Sequence, residues 1–178
     1  MTTNIVRSKR IVVILAILAS CVGCDQVTKS LATQTLKNAE PVSLLAGTLR
    51  FEYALNPGGF LSLGGNLPPN VRPWLFVGFN VAMMLVIATG LLFHHAANAR
   101  IVIAASFVLA GGIGNLIDRV CNNGLVTDFI NVGIGPLRTG IFNVADMAVM
   151  FGGLAIVLLM DGHSKQRSEP PITVEVRR

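Results

Sequence analysis

Polar positions are sparse along this chain, and the gaps between them outline four helices. From Trp74 to Phe93 only Asn80 and Thr89 interrupt an apolar run. Ile101–Ile117 is apolar and bounded by Arg100 on one side and Asp118-Arg119 on the other. Ile141–Met160 is broken only by Asn143 and Asp146. Each run is long enough to cross about 30 Å of hydrocarbon at about 1.5 Å per residue. The first run, Ile11–Cys24, is too short alone, but it reaches Leu31 if it continues through Asp25-Gln-Val-Thr-Lys29. The pattern therefore predicts membrane spans over residues 11–31, 74–93, 101–119 and 141–160, the first with a polar outer third.

One intervening segment has a different period. Thr48-Leu-Arg-Phe-Glu-Tyr53 alternates apolar and polar residues, as a half-buried strand does. Asn56-Pro-Gly-Gly59 and Gly64-Gly65 follow as turn signals. The expected fold class is an all-α membrane protein, four transmembrane helices with a small extracytoplasmic β-element lying on the outer membrane surface. Residues 1–161 form the membrane domain. The tail from Gly162, rich in Ser, Pro and charge, is expected to lack structure.

Charge orients these spans. Arg7, Lys9 and Arg10 precede the first, and Lys165, Arg167, Arg177 and Arg178 follow the last. Arg100, with His94 and His95, lies in the short connection between the second and third. Basic residues gather on the cytoplasmic side, so both termini are placed there, and residues 32–73 and 120–140 face outward. Composition agrees: 52% of the 178 residues are apolar and only 13% charged, against about a quarter charged in soluble domains. The net charge of +5 suits contact with anionic lipid, and no aromatic-interleaved basic patch points to nucleic acid. Cys21 and Cys24 form a CxxC without a second pair. Structural zinc takes four ligands, so small core-facing thiols are expected, and Cys121 stands alone.

On this topology the intramembrane polar residues converge. Asp25 and Lys29 lie near the outer end of the first helix, and Asn115, Asp118 and Arg119 near that of the third. Asn143 and Asp146 lie just inside the outer end of the fourth. The spacings i,i+3 and i,i+4 put each set on one helix face. Charges at membrane depth are costly and normally face the bundle interior. One such pair could be structural glue; three sets at one depth, beside an outer loop carrying Asp128, point to a site. Asp25 has Lys29 one turn away and Asp118 has Arg119 adjacent, so both can remain ionised in pairs. Asp128 and Asp146 have no local cation. Two carboxylates sharing a partly dry site cannot both ionise easily, and the protonated one and the ionised one can then divide acid and base work on a water molecule. The sequence has no HExxH and no GxSxG, and His94 and His95 fall on the opposite side, so no metal or other cofactor is expected.

Five segments also stand in a telling order: Asp25-Gln-Val-Thr-Lys29, Asn56-Pro-Gly58, Gly111-Gly-Ile-Gly-Asn-Leu-Ile-Asp-Arg119, Val126-Thr-Asp-Phe129 and Phe142-Asn-Val-Ala-Asp146. Together, over residues 11–160, they resemble the sequence blocks of the lipoprotein signal peptidases. The resemblance implies an aspartic endopeptidase of the bacterial cytoplasmic membrane. Such an enzyme cuts on the amino side of a diacylglyceryl-modified cysteine in prolipoproteins and is inhibited by the cyclic peptide globomycin. It places the catalytic pair on Asp128 and Asp146. Asn56, Asn115, Arg119 and Asn143 match positions that line the site or contact substrate, where they are expected to bond the peptide backbone around the cut. Asp25, Lys29 and Asp118 match supporting positions. The second block commonly reads N-x-G-A-A-F-S, whereas here Asn56-Pro-Gly-Gly-Phe-Leu-Ser62 carries Phe60 one place early; Asn56 and Gly58 keep their places.

Two rival readings make different predictions. Basic residues, Ile11–Leu18 and then Leu18-Ala-Ser-Cys21 would pass as a lipoprotein leader cleaved before Cys21, which would leave Asp25 and Lys29 without a place in the bundle. A transporter or channel subunit would need polar residues through the whole depth, whereas the inner halves of the third and fourth helices are apolar.

Overall fold

The computed structural model describes residues 2–59, 64, 66–68, 70–93 and 98–168, with side chains from residue 8 to 161. Phe60, Leu61, His94, His95 and the tail beyond Ser168 lie outside the described residues. Among the described residues, four long helices and one small antiparallel sheet make up the fold. Helix α1 spans Thr2–Leu36, α2 Arg72–Phe93, α3 Ala99–Cys121 and α4 Val144–Ser168. Each contains a stretch long and apolar enough to cross a membrane, over Ser8–Leu36, Arg72–Phe93, Ala99–Cys121 and Val144–Asp161.

The distribution of side chains is inverted relative to a water-soluble bundle. Large apolar residues such as Val12, Leu15, Phe79, Val86, Leu154 and Val157 are exposed, whereas Asp25, Lys29, Asn115, Asp118 and Asn143 are buried. That is the arrangement hydrocarbon demands, since polar groups there must find partners inside the protein. Cys24 departs from expectation: it is exposed on the outer surface of α1, where a thiol costs little against lipid. Only part of the core is apolar, built from Ile14, Leu91, Val102 and Leu109.

Close helix approach in the polar half depends on glycine. A Cβ on Gly111 would run into the Ala145 carbonyl of α4, and one on Gly114 would stand 2.5 Å from Asp25 Oδ2 of α1. These two positions set α3 directly against both neighbours.

Between α1 and α2 run β1 (Val42–Leu44) and β2 (Leu49–Asn56), and between α3 and α4 run β3 (Val126–Ile134) and β4 (Leu137–Arg138), paired antiparallel in that order. The strand expected over residues 48–53 is observed as β2, which starts one residue later and continues to Asn56. The longest strand, β3, falls where only an outer loop was expected. Its first four residues are buried, so no period-two alternation marks it. The sheet gathers at the end of the bundle where α1 and α3 finish and α2 and α4 begin. An isolated bridge joins Ile130 to Phe142, so Ile141 and Phe142 belong to the sheet side and α4 starts three residues later than the apolar run. At its far end α4 runs past the expected boundary to Ser168, so the first part of the supposed unstructured tail is helical.

Candidate active site

Three elements bring the two candidate carboxylates together. Asp128 lies on β3, Asp146 in the first turn of α4, and Asn143 at the N-cap between them. Val126 pairs with Asn56 across the β2–β3 ladder, so Asn56 and Asp128 share a face two residues apart, a diagonal that side chains can span. Asn56 Nδ2 donates to Asp128 Oδ2 at 2.9 Å, and its Oδ1 accepts from Gly58 N at 2.9 Å, which fixes the amide's orientation. Asn143 Nδ2 donates to Asp128 Oδ1 at 2.6 Å.

Asn143 also forms a capping box with Asp146. Asp146 N donates to Asn143 Oδ1 at 2.9 Å, and Asn143 N donates back to Asp146 Oδ2 at 3.2 Å. This is the reciprocal bonding of an N-cap with its third helical residue, here Asp in place of the more usual Glu. Asp146 Oδ1 takes a further bond from Asn115 Nδ2 at 2.9 Å. One fully buried residue, Asn143, thus touches both carboxylates, Asp128 through its side-chain amide and Asp146 through its main-chain N–H. Among the described residues, neither carboxylate has a cation at salt-bridge distance.

Behind this pair stands a charged layer. Lys29 Nζ lies 2.9 Å from Asp25 and 3.2 Å from Asp118, and it donates to Asn115 Oδ1 at 3.0 Å. The expected Asp118–Arg119 pairing is therefore replaced: Asp118 turns to Lys29, because neighbours on a helix point about 100° apart. Arg119 turns instead to the Gly58 carbonyl at 2.8 Å and the Asn115 carbonyl at 3.2 Å. Asp25 Oδ1 accepts from Ala145 N at 2.9 Å, satisfying a free N–H of α4's first turn. Asp118 Oδ2 accepts from Thr127 N at 2.8 Å and anchors β3.

The sequence reading passed over Gln26. Its Nε2 donates to Asp25 Oδ2, Asp118 Oδ1 and the Gly114 carbonyl, tying α1 to α3. Being uncharged, it carries no penalty signal in an apolar run, and only its position beside Asp25 could have drawn notice. Asn56, Asn115 and Asn143, expected to bond substrate backbone, have amide donors committed to the carboxylates.

Asp128 is 1% exposed. Burial, and after it the nearby Asp146 charge, push its carboxyl from 3.8 up to about 7, while the Asn56 and Asn143 amides and the Lys29 charge pull it down. At neutral pH this group exists in both forms, as acid–base chemistry requires.

The rivals fare poorly against this geometry. Helix α1 runs unbroken through Cys21, and Asp25 and Lys29 are built into the bundle. In the half of the bundle away from the sheet, the one buried polar side chain among the described residues is Ser106, bonded to the Val102 carbonyl, so the described residues form no polar path through that half.

Known proteins agree with the fold. Two solved structures described as bacterial membrane enzymes superpose with TM-scores of 0.77 and 0.70, at 24% and 25% identity. The first covers 90% of this chain and 94% of its own, the second 83% and 91%. A lipoprotein signal peptidase of Desulforapulum autotrophicum is 34% identical over 140 residues, covering 76% of this chain and 83% of that protein. Another, of Syntrophus aciditrophicus, is 34% identical over 150 residues, covering 81% and 89%. The family described as signal peptidase (SPase) II matches residues 17–161, a stretch containing every residue of the polar cluster. This chain belongs to the signal peptidase II family.

Proposed function

We propose that the chain is an aspartic endopeptidase that removes signal peptides from diacylglyceryl-modified prolipoproteins, cutting on the amino side of the lipidated cysteine. The observation that carries this reading is the shared residue: Asn143 holds two buried carboxylates, Asp128 by its side-chain amide and Asp146 by its main-chain N–H, that have no ion-pair partner among the described residues. Asp128, raised to about 7, serves as the proton donor. Asp146, at the positive end of the α4 dipole, serves as the base. Asp146 takes a proton from water, whose oxygen attacks the scissile carbonyl while Asp128 protonates the carbonyl oxygen. Collapse of the tetrahedral intermediate expels the cysteine nitrogen, which takes a proton from the dyad.

Asn56 and Asn115 orient the two carboxylates, with Gly58, Arg119 and the Asp25–Lys29–Asp118 layer holding the frame. The basic flanks of the first and last spans support a cytoplasmic position for both termini in a bacterial inner membrane, with the site at the extracytoplasmic face. Globomycin, which the family resemblance implies as an inhibitor, would compete for this site. The test is cleavage of a lipidated prolipoprotein by purified protein. Asp128→Asn and Asp146→Asn should each reduce turnover by at least about 10³-fold while the protein inserts and purifies normally. Near wild-type turnover in either variant refutes the assignment.

A further inference from the structure

A groove runs down the bundle from the polar cluster, lined chiefly by α3 and α4. On α4 its lining begins at Val144, directly after Asn143, and continues through Met147, Ala148, Phe151 and Ala155 to Leu159. These positions repeat at helical spacing and form one stripe. Helix α3 contributes Ile103 and Phe107, and Arg100 lines the inner end. Gly152 allows the close approach, since a Cβ there would stand 2.7 Å from the Ala104 carbonyl.

The dimensions select an occupant. The stripe from Val144 to Leu159 is about 22 Å long at about 1.5 Å per residue. A volume of about 510 Å³ over that length gives a mean cross-section on the order of 20 Å². A helix of about 10 Å diameter needs roughly 80 Å². A single hydrocarbon chain, with carbon contacts at about 4 Å, needs roughly 15–20 Å². The groove therefore has room for an acyl chain but not for the helical core of a signal peptide. Arg100 at the inner end would also repel a peptide's basic flank.

We propose that this groove holds one acyl chain of the substrate's diacylglyceryl group, entering beside Val144 while the scissile bond meets Asp128 and Asp146. The proposal rests on the peptidase reading above. Hydrocarbon leaving the bilayer for an apolar groove gains little by the hydrophobic effect, because lipid tails are themselves apolar. The groove's contribution is positional: it fixes the modified cysteine at the depth and bearing of the carboxylates.

The experiment uses full-length protein in phosphatidylcholine–phosphatidylglycerol nanodiscs and two synthetic prolipopeptides of one sequence, bearing dipalmitoyl or dioctanoyl glyceryl groups. Ala155 lies about 16 Å below Val144 along α4, within reach of the long chain alone. Ala155→Phe should lower kcat/KM about tenfold for the dipalmitoyl substrate and less than twofold for the dioctanoyl one. The milder Ala155→Leu should shift the ratio in the same direction. A second arm uses Asp128→Asn protein with a dipalmitoyl substrate carrying a terminal diazirine, expected to crosslink within residues 100–107 and 147–159. Unchanged long-to-short ratios, or crosslinks centred on α2, overturn the groove assignment while leaving the peptidase reading intact. Wild-type protein that cleaves neither substrate overturns both.

Discussion

The elevated Asp128 carboxyl makes a prediction about stability that is independent of turnover. In the unfolded chain this group titrates near 3.8, and in the folded protein near 7. Between those values the native state keeps a proton that the unfolded state has released. The free energy of unfolding therefore falls as pH rises through the window and is flat above it. A span of roughly three units at about 1.36 kcal/mol each gives about 4 kcal/mol in total. The groups acting on Asp128 are Asp146, which raises it, and Asn56, Asn143 and Lys29, which lower it. Asp128→Asn removes the charge and with it this slope. Its new NH₂ can no longer accept one of the two amide donors, a loss of about 1 kcal/mol. The variant and wild type should thus be within about 1 kcal/mol of each other near pH 5. At pH 8 the variant should be more stable by about 3 kcal/mol, or roughly 6–12 °C in Tm at about 2–4 °C per kcal/mol. Circular dichroism melts of both proteins in one detergent at the two pH values provide the measurement. A variant destabilised equally at pH 5 and pH 8 would refute the assignment of a raised carboxyl to this residue.

Other predictions address the frame. Lys29→Met leaves Asp25 and Asp118 buried without their cation and should cost about 3–5 kcal/mol, seen as lost yield and a lower melting temperature. Gly111→Ala drives a methyl into the Ala145 carbonyl, which cannot move aside, and should destabilise by about 1–3 kcal/mol. Gly112→Ala meets the Met84 side chain at 3.2 Å and Asn80 Oδ1 at 3.3 Å, and melts should show it tolerated because both are side chains that can give by a few tenths of an ångström. Among the described residues no group of three or more His, Cys, Asp or Glu is placed to hold a metal, so EDTA should leave turnover unchanged; zinc-restorable loss would contradict this.

The spans were legible because a polar residue in a hydrocarbon-length run is conspicuous, and the same contrast exposed most of the cluster. What escaped were features without such contrast. Strand β3 is buried from Val126 to Phe129, so alternation is absent. Gln26 carries no charge to attract suspicion. The partner of Asp118 depended on packing between α1 and α3, set by Gly114, and adjacency to Arg119 was a poor guide. Asn143 and Asp146 were read as a shared helix face, yet Asn-x-x-Asp ahead of an apolar run is also a helix-start signature. Read that way, it places α4's first residue after Asn143, where the structure has it.

On the proposed reading, that capping box explains how the Asn143 side chain can serve both structure and chemistry. Four buried carboxylates, Asp25, Asp118, Asp128 and Asp146, face two cations, Lys29 and Arg119. Lys29 is held by Asp25 and Asp118, and Arg119 is bonded to main-chain carbonyls. The front pair therefore has no cation of its own, and a proton on Asp128 is the cheapest relief available to a buried carboxyl. Asp146 differs in having the Asn143 backbone N–H and a helix N-terminus to stabilise negative charge. In the proposed mechanism the division into acid and base follows from where each residue sits: Asp128 in mid-strand with two amide donors, Asp146 inside a helix cap. Exchanging the two carboxylates' chemistry would require moving the start of α4, which Asp25 and Asn143 both fix.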